Sequence, residues 1–404
     1  MLLRLATRNL LRNRQRTSIA LVAIAFGIAS LILSGGFVHD LLFQLGEQLI
    51  RSQSGHLQVG RPAYFAEGSR SPEKHRVGNS EAIKKDLAGL EGVSQTMARL
   101  AFSGLLNNGR VDVPIVGEGI EPTREGVLSS ALQMQAGRAL TESDLNGAVL
   151  GEGLARSLGV GPGDLVTLLV STFDGAMNTA EFEIIGVFRS FSREYDQRVI
   201  KIALPAAQQL FGAPDASVVV VLLDRTEDTG TVLAKARRLT NGTDLVVKRW
   251  EEVNDFYANT VALYERQFAV LKVIILAMIV LGVANAVNMS VFERTAEFGT
   301  MRALGNRGRF VVGLVLSECL LLGLAGAAVG VLIGASLAAA ISIIGIPMPP
   351  PPNSNVGYTA RIMLQPAAVA QAFVIGAAAT FLSGVVPAVR ARRVAIVDAL
   401  RAAI

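Results

Sequence analysis

Three histidines (His39, His56 and His75), one cysteine (Cys319) and one carboxylate inside an apolar run (Glu318) are the residues whose types invite a chemical reading. The histidines lack the spacing of a metal site, and a lone cysteine builds neither an intramolecular disulfide nor a thiolate zinc site. No metal is expected. A carboxylate about two turns inside a spanning helix is costly and normally faces a cavity or a partner. A proton relay through Glu318 would need a second intramembrane ionisable residue at matching depth, which is missing. The stronger expectation is a structural partner near the helix end, such as an arginine of the adjoining loop.

Signatures of catalysis are missing too. Residues 41–266 contain no G-x-S-x-G elbow, no H-E-x-x-H and no cysteine. Gly151-Glu152-Gly153 resembles a phosphate loop only superficially, because G-x-x-x-x-G-K-[ST] occurs nowhere in the chain. No catalytic residue, cofactor or nucleotide site is expected in this chain.

The elements that carry these residues follow from hydropathy. Of 404 residues 51% are hydrophobic and only 18% charged, with a mean hydropathy of +0.44, which is too apolar for an ordinary soluble protein. A span needs about 20 largely apolar residues. Four runs qualify: 17–40, 267–291, 310–346 and 362–389. The first is longer than the apolar part of a cleaved signal peptide, roughly 7–15 residues. Lys272 sits near the outer end of the second, where its side chain can snorkel.

Lys+Arg outnumber Asp+Glu 38 to 33, but the arginines gather beside the apolar runs, so the expected partner is membrane lipid and not nucleic acid. They cluster at Arg4, Arg8, Arg12, Arg14 and Arg16; at Arg294, Arg302, Arg307 and Arg309; and at Arg390, Arg392, Arg393 and Arg401. Arginine-rich short segments mark the cytoplasmic side. Residues 1–16, 292–309 and 390–404 are therefore expected to be cytoplasmic, with both termini inside. This leaves 41–266 and the short 347–361 loop, with its run Pro349 to Pro352, on the outer side. The fold class is an α-helical membrane protein with four transmembrane helices plus a large α+β extracytoplasmic domain.

In that domain the expected strands are His56–Arg61, Val111–Val116, Leu165–Val170, Phe182–Phe188, Val199–Leu204, Val218–Leu223 and Leu245–Lys248; the expected helices are Ser80–Leu90, Gly153–Leu158, Pro205–Phe211 and Val232–Leu239. Glu251 to Arg266 runs without a breaker into the second span. Arg4, Arg8 and Arg12 recur every four residues among leucines, the pattern of an interfacial helix, and Val394, Ile396, Val397 and Leu400 repeat the idea in the tail. Gly323, Gly326, Gly330 and Gly334 bare one face of the third span for helix packing, either in a sliding interface between subunits or spans or in static packing within one subunit.

The loop after the second span reads Phe292-Glu293-Arg294-Thr295-Ala296-Glu297-Phe298-Gly299-Thr300-Met301-Arg302-Ala303-Leu304-Gly305. It resembles the S-V-F-E-R-T-x-E-I-G-x-L-R-A-L-G signature of FtsX-like ABC transporter permeases, the group holding MacB-type and lipoprotein-releasing LolC/LolE-type proteins, with Phe298 and Met301 in place of aliphatic residues. Leu5-Ala6-x-Arg8-Asn9-Leu10-x-Arg12-Asn13 through Thr17 is similar to the family's N-terminal elbow. Pro387-Ala388-x-Arg390-Ala391 through Arg401 is similar to its tail, and Gly151 to Leu168, with Gly163-Asp164, to its outer domain.

The resemblance implies a MacB-like periplasmic domain and a permease subunit of the cell inner membrane. Its expected partners are a cytoplasmic ABC ATPase dimer that holds the ATP and Mg, a second permease subunit, and a periplasmic carrier, adaptor or lipoprotein. It makes the loop a coupling helix. Phe298 and Met301 would form an apolar knob, Glu293, Arg294, Glu297 and Arg302 would meet an ATPase groove, with Thr295 and Gly299 between them, and Gly305 would end the helix. Length and the lack of a fused ATPase favour the LolC/LolE-type arrangement. The implied function is ATP-driven movement of the outer domain to extract or export lipoprotein or another lipophilic substrate; the alternative is signalling to a periplasmic cell-wall hydrolase without transport.

Overall fold

The computed structural model describes residues 2–12, 14–67, 75–350, 354–355 and 357–393. The tail positions Val394, Ile396, Val397, Leu400 and Arg401, and Pro351 and Pro352, lie outside the described residues. In chain order the helices are α1 (Leu2–Arg12), α2 (Arg14–Leu49), α3 (Pro62–Glu67), α4 (Ser80–Ala88), α5 (Pro122–Leu128), α6 (Glu152–Leu158), α7 (Arg193–Asp196), α8 (Leu204–Phe211), α9 (Thr229–Leu239), α10 (Asp255–Glu293), α11 (Thr295–Ala303), α12 (Gly308–Ile344), α13 (Pro366–Ser383) and α14 (Val385–Arg393). The strands of the main sheet are β1 (Leu57–Gly60), β2 (Val93–Asn107), β3 (Asp112–Ile120), β4 (Gln133–Gly137), β5 (Gly147–Gly151), β6 (Leu165–Ser171), β7 (Met177–Arg189), β8 (Val199–Ala203), β9 (Val218–Leu223) and β10 (Val246–Arg249).

The chain divides into two compact units, one of residues 1–42, 261–347 and 359–404, the other of 43–260 and 348–358. In the first, four helical runs are long and apolar enough to cross a membrane: Arg14–Ser54, Asp255–Glu293, Gly308–Ile344 and Pro366–Arg393. Each overruns its apolar stretch except at the end of the third, which stops at Ile344, and at the start of the last, where residues 361–365 are not helical and the helix begins at Pro366, whose missing N–H is harmless in a first turn. Ile24, Ile28, Val283, Val311, Leu314 and Ala327 form its core. On α1, Leu2, Leu5 and Leu10 pack against this core while Leu3 and Leu11 are exposed.

The second unit is built on a sheet ordered β10-β1-β9-β2-β3-β8-β5-β7-β4, with β6 against β2 and β7. An interior strand, β9, Val218-Val-Val-Val-Leu-Leu, is buried at every position as a strand covered on both faces must be. β2 runs long enough to pair with β9 through its first half and with β3 through its second. The expected strands and helices all appear, with ends shifted by a few residues; β2, β4 and β5 were not anticipated. β2 (VSQTMARLAFSGLLN) is too polar and irregular to read as alternation, β5 is five residues bounded by glycines, and β4 is exposed throughout.

Candidate functional site

The loop between α10 and α12 is itself mostly helix. α10 ends at Glu293, Arg294 leaves helical geometry for one residue (φ −99°, ψ 16°), and α11 follows. Thr295 ties the two helices by donating its hydroxyl to the carbonyls of Val291 (3.1 Å) and Phe292 (2.6 Å). Beyond α11, Gly305 takes φ +93°, a value that excludes most side chains, and the Asn306 amide closes the turn on Met301 O at 3.1 Å.

Side chains here turn inward. Arg294 is 5% exposed and packs over the Phe298 ring, 5.2 Å from its centroid. Its Nη1 donates to both Glu318 oxygens (2.9 and 3.0 Å) and its Nε to Glu297 (3.0 Å). Asn9 of α1 donates to Glu318 at 2.7 Å. Arg12 and Arg16 pair with Glu297 and Glu293, and Arg302 donates to the Arg392 carbonyl of α14 at 3.2 Å. A cavity of about 50 Å³ opens among Asn9, Arg16, Ser290, Arg294 and Glu318. The expected arginine partner of Glu318 is therefore Arg294.

Two readings of the loop need correction. Phe298 is 3% exposed and sits in the helix-bundle core, and Met301 packs partly buried beside it, so these two do not form an outward knob. Arg294 does not stand open for a partner either, being buried on Glu318 and Glu297, whereas Glu293 stays exposed beside Arg16 and Glu297 and Arg302 are half-buried. Gly299 is buried. The exposed positions are Phe292 and Glu293 at its start, Thr300, and the turn from Ala303 to Arg307, with Phe292 75% and Leu304 80% exposed. Sequence reasoning also missed Asn9, Arg12 and Arg16. A signal was present: Arg12 and Arg16 are four apart, as are Glu293 and Glu297, which lets two antiparallel helical segments pair charge for charge.

The glycine face of α12 is occupied inside the chain. A side chain at Gly326 would meet Ile24 at 2.8 Å, at Gly330 the Ala25 carbonyl at 2.9 Å, at Gly334 the Ala29 backbone at 3.1 Å, and at Gly323 Thr380 and the Ala377 carbonyl at 3.0 and 3.1 Å. All four glycines lie against other spans of the same chain.

In the outer unit Glu152 is held by Arg189 (2.7 and 2.8 Å) and Arg156 (2.9 Å), and Gly151 lies against the Asp196 backbone, so this stretch is structural. Asp196, 2% exposed, accepts the Ser190 amide and the Asn355 side-chain amide (2.6 Å); burial pushes its carboxyl above the usual range. Among the described residues no group of three His, Cys, Asp or Glu side chains is placed to hold a metal.

The comparisons agree with this layout. A model of the MacB-like periplasmic core domain matches residues 17–239, and one of the FtsX-like permease C-terminal region matches 269–396. The uncharacterized ABC transporter permease YknZ of Bacillus subtilis is 24% identical over 85% of this chain and 87% of its own length. The lipoprotein-releasing system transmembrane protein LolE of Haemophilus influenzae is 23% identical over 78% of this chain and 76% of its own. A further uncharacterized ABC transporter permease, MJ1507 of Methanocaldococcus jannaschii, is 24% identical over 55% of each chain, so this chain spans about half the length of that relative.

Proposed function

As this chain belongs to the FtsX-like ABC transporter permeases with a MacB-like periplasmic core domain, we propose that it converts ATP hydrolysis by a separate cytoplasmic ATPase into movement of its outer domain. The cargo in this reading is a lipoprotein or another lipophilic molecule, in keeping with the name of the LolE relative. The protein would lie in the inner membrane with both termini cytoplasmic, pair with a second permease subunit, and leave ATP and Mg to the ATPase.

The observation that carries this reading is α10, 39 residues without interruption from Asp255 to Glu293. At 1.5 Å per residue it measures roughly 58 Å, about twice the hydrocarbon thickness of a bilayer, near 30 Å. One continuous helix therefore runs from Asp255 to the loop that begins at Arg294. A push on the Ala303–Arg307 turn would reach α10 through the Thr295 bonds and the Arg294 cluster, and a helix transmits such a displacement where a flexible linker would absorb it.

The test is affinity purification from native membranes in detergent, with mass spectrometry of everything retained. Recovery of an ATPase with a lipoprotein or periplasmic adaptor is expected. An ATPase with a cell-wall hydrolase would point to signalling instead, and no ATPase at all would refute the permease role.

A further inference from the structure

α10 presents a face that this chain leaves open. Ile279, Val283, Val287 and Val291, spaced by four, bury one side of the helix in the bundle core. On the opposite side Ile274, Met278, Leu281, Asn285, Asn288 and Phe292 follow one another at alternating intervals of four and three. The four apolar members of this stripe are 52 to 75% exposed, Asn285 is exposed and Asn288 half-buried. Such alternation is the heptad spacing with which one helix presents a straight seam to another, and it puts Met278, Asn285 and Phe292 at a positions and the other three at d.

Lipid alone can cover the exposed apolar members, but not the two asparagines. Asn285 lies roughly 9 Å inside the apolar run 267–291 from its cytoplasmic end, at 1.5 Å per residue, where no water supplies hydrogen bonds. Among the described residues, neither the Asn285 nor the Asn288 side chain has a hydrogen-bond partner. An asparagine is too short to snorkel to the interface as a lysine does. The missing partner must come from another molecule, and side-chain amides of this kind hydrogen-bond across packed membrane helices.

The chemistry selects that molecule. A carboxamide carries donors and an acceptor at once, so the same side chain from a second copy satisfies it. All copies insert in one direction, so two α10 helices related by a two-fold axis run parallel and residue 285 meets residue 285. In a parallel two-stranded seam an asparagine at an a position fixes register and strand number. A lipid tail offers no hydrogen bond, and a flexible cargo chain does not call for heptad spacing maintained from Ile274 to Phe292. We propose that two copies of this chain pair along this face of α10, their Asn285 side chains bonded to each other across the axis. The inference rests on the reading of the chain as one of two permease subunits and gives that pairing a consequence. Sliding one α10 past the other would part the amides and leave them in lipid, so the two helices keep register and move together.

Ile274→Cys, Leu281→Cys and Val273→Cys, each in a Cys319→Ala background, would be oxidised in native membranes; Val273 is 66% exposed but lies off the seam. Disulfide-linked dimer is expected at Ile274 and Leu281 and not at Val273. Self-association of the full-length protein would be followed by energy transfer between labelled copies in lipid vesicles as the protein-to-lipid ratio falls. Asn285→Leu should weaken it roughly fivefold or more, while Asn285→Gln, which keeps donor and acceptor, should retain most of it. Leucine is at home on an exposed face of a span, so the variant reports on association and not on folding. Cross-linking strongest at Val273, or association unchanged in Asn285→Leu, would overturn the seam and leave the two-subunit reading standing. A chain that stays monomeric at every ratio would overturn the seam as well, and the affinity purification decides separately whether a different permease takes the second place.

Discussion

Arg294 and Glu318 form a forked ion pair, Nη1 lying 2.9 and 3.0 Å from the two carboxylate oxygens, with both side chains almost wholly buried. Removing one partner of such a pair leaves the other charge uncompensated, at about 3–5 kcal/mol, whereas replacing both with apolar residues is often neutral. Glu318→Ala and Arg294→Met are each expected to lower the thermal transition of the detergent-solubilised protein strongly. The double variant Arg294→Met, Glu318→Leu should recover most of the loss. Additive effects in this cycle would show that the two side chains act separately.

Packing of α12 on α2 gives a second test. A methyl group at Gly330 would meet the Ala25 carbonyl at 2.9 Å and its Cα at 3.0 Å, and backbone cannot step aside as a side-chain tip can. Gly330→Ala should destabilise by roughly 1–3 kcal/mol. Gly282→Ala, where no atom lies within 4 Å, should be neutral or gain a little from helix propensity. Equal losses at the two sites would refute packing within the chain.

How much of this was legible beforehand depended on the range over which each feature is encoded. The spans are local facts: Thr17 to Val38 has no charge and must be buried in something apolar. The Glu318 partner was legible because burial forces a charge to be met and arginines crowd the neighbouring loop. The direction of Phe298 was not. A nine-residue helix offers either face, and only the position of α1 and the start of α2, through Asn9, Arg12 and Arg16, decides which is covered. The glycine face of α12 announced close packing, but its partners Ile24, Ala25 and Ala29 sit some three hundred residues earlier. β2 stayed hidden for a related reason: its burial comes from β9 and β3 on either side and not from its own alternation.

His56 makes stability depend on pH. Its imidazole is 2% exposed; Nδ1 accepts the Leu223 amide at 3.1 Å, and Nε2 lies 3.0 Å from Thr226 Oγ1, whose hydroxyl donates to Glu47. Burial pulls its pKa down to about 4, helped by Arg51 and opposed by Glu47. The unfolded chain takes up the proton near pH 6.5, so between pH 6.5 and 4 unfolding gains protons. The contribution is complete above pH 6.5 and disappears as pH falls to 4, a loss of at most about 3 kcal/mol. Denaturant unfolding followed by Trp250 emission should show this slope, and His56→Gln should flatten it. An equal slope in the variant would place the effect elsewhere.

Asn355 belongs to the segment between α12 and α13 and is pinned to the outer unit: its side-chain amide donates to Asp196 at 2.6 Å and its backbone amide to Phe191 O at 2.9 Å. Asn355→Ala leaves Asp196 with the Ser190 amide alone among these two partners, a local loss of about 1–2 kcal/mol, which should appear as faster hydrogen exchange over residues 190–198. Asn355→Asp should be worse at neutral pH, because two carboxylates would face each other across that distance and one must take up a proton. Burial already raises the Asp196 carboxyl, so the added penalty should shrink as pH falls and the pair comes to share a proton. The alanine variant has no second carboxylate and should lack this recovery. If the two variants respond alike to pH, the contact is not the tie that holds this segment.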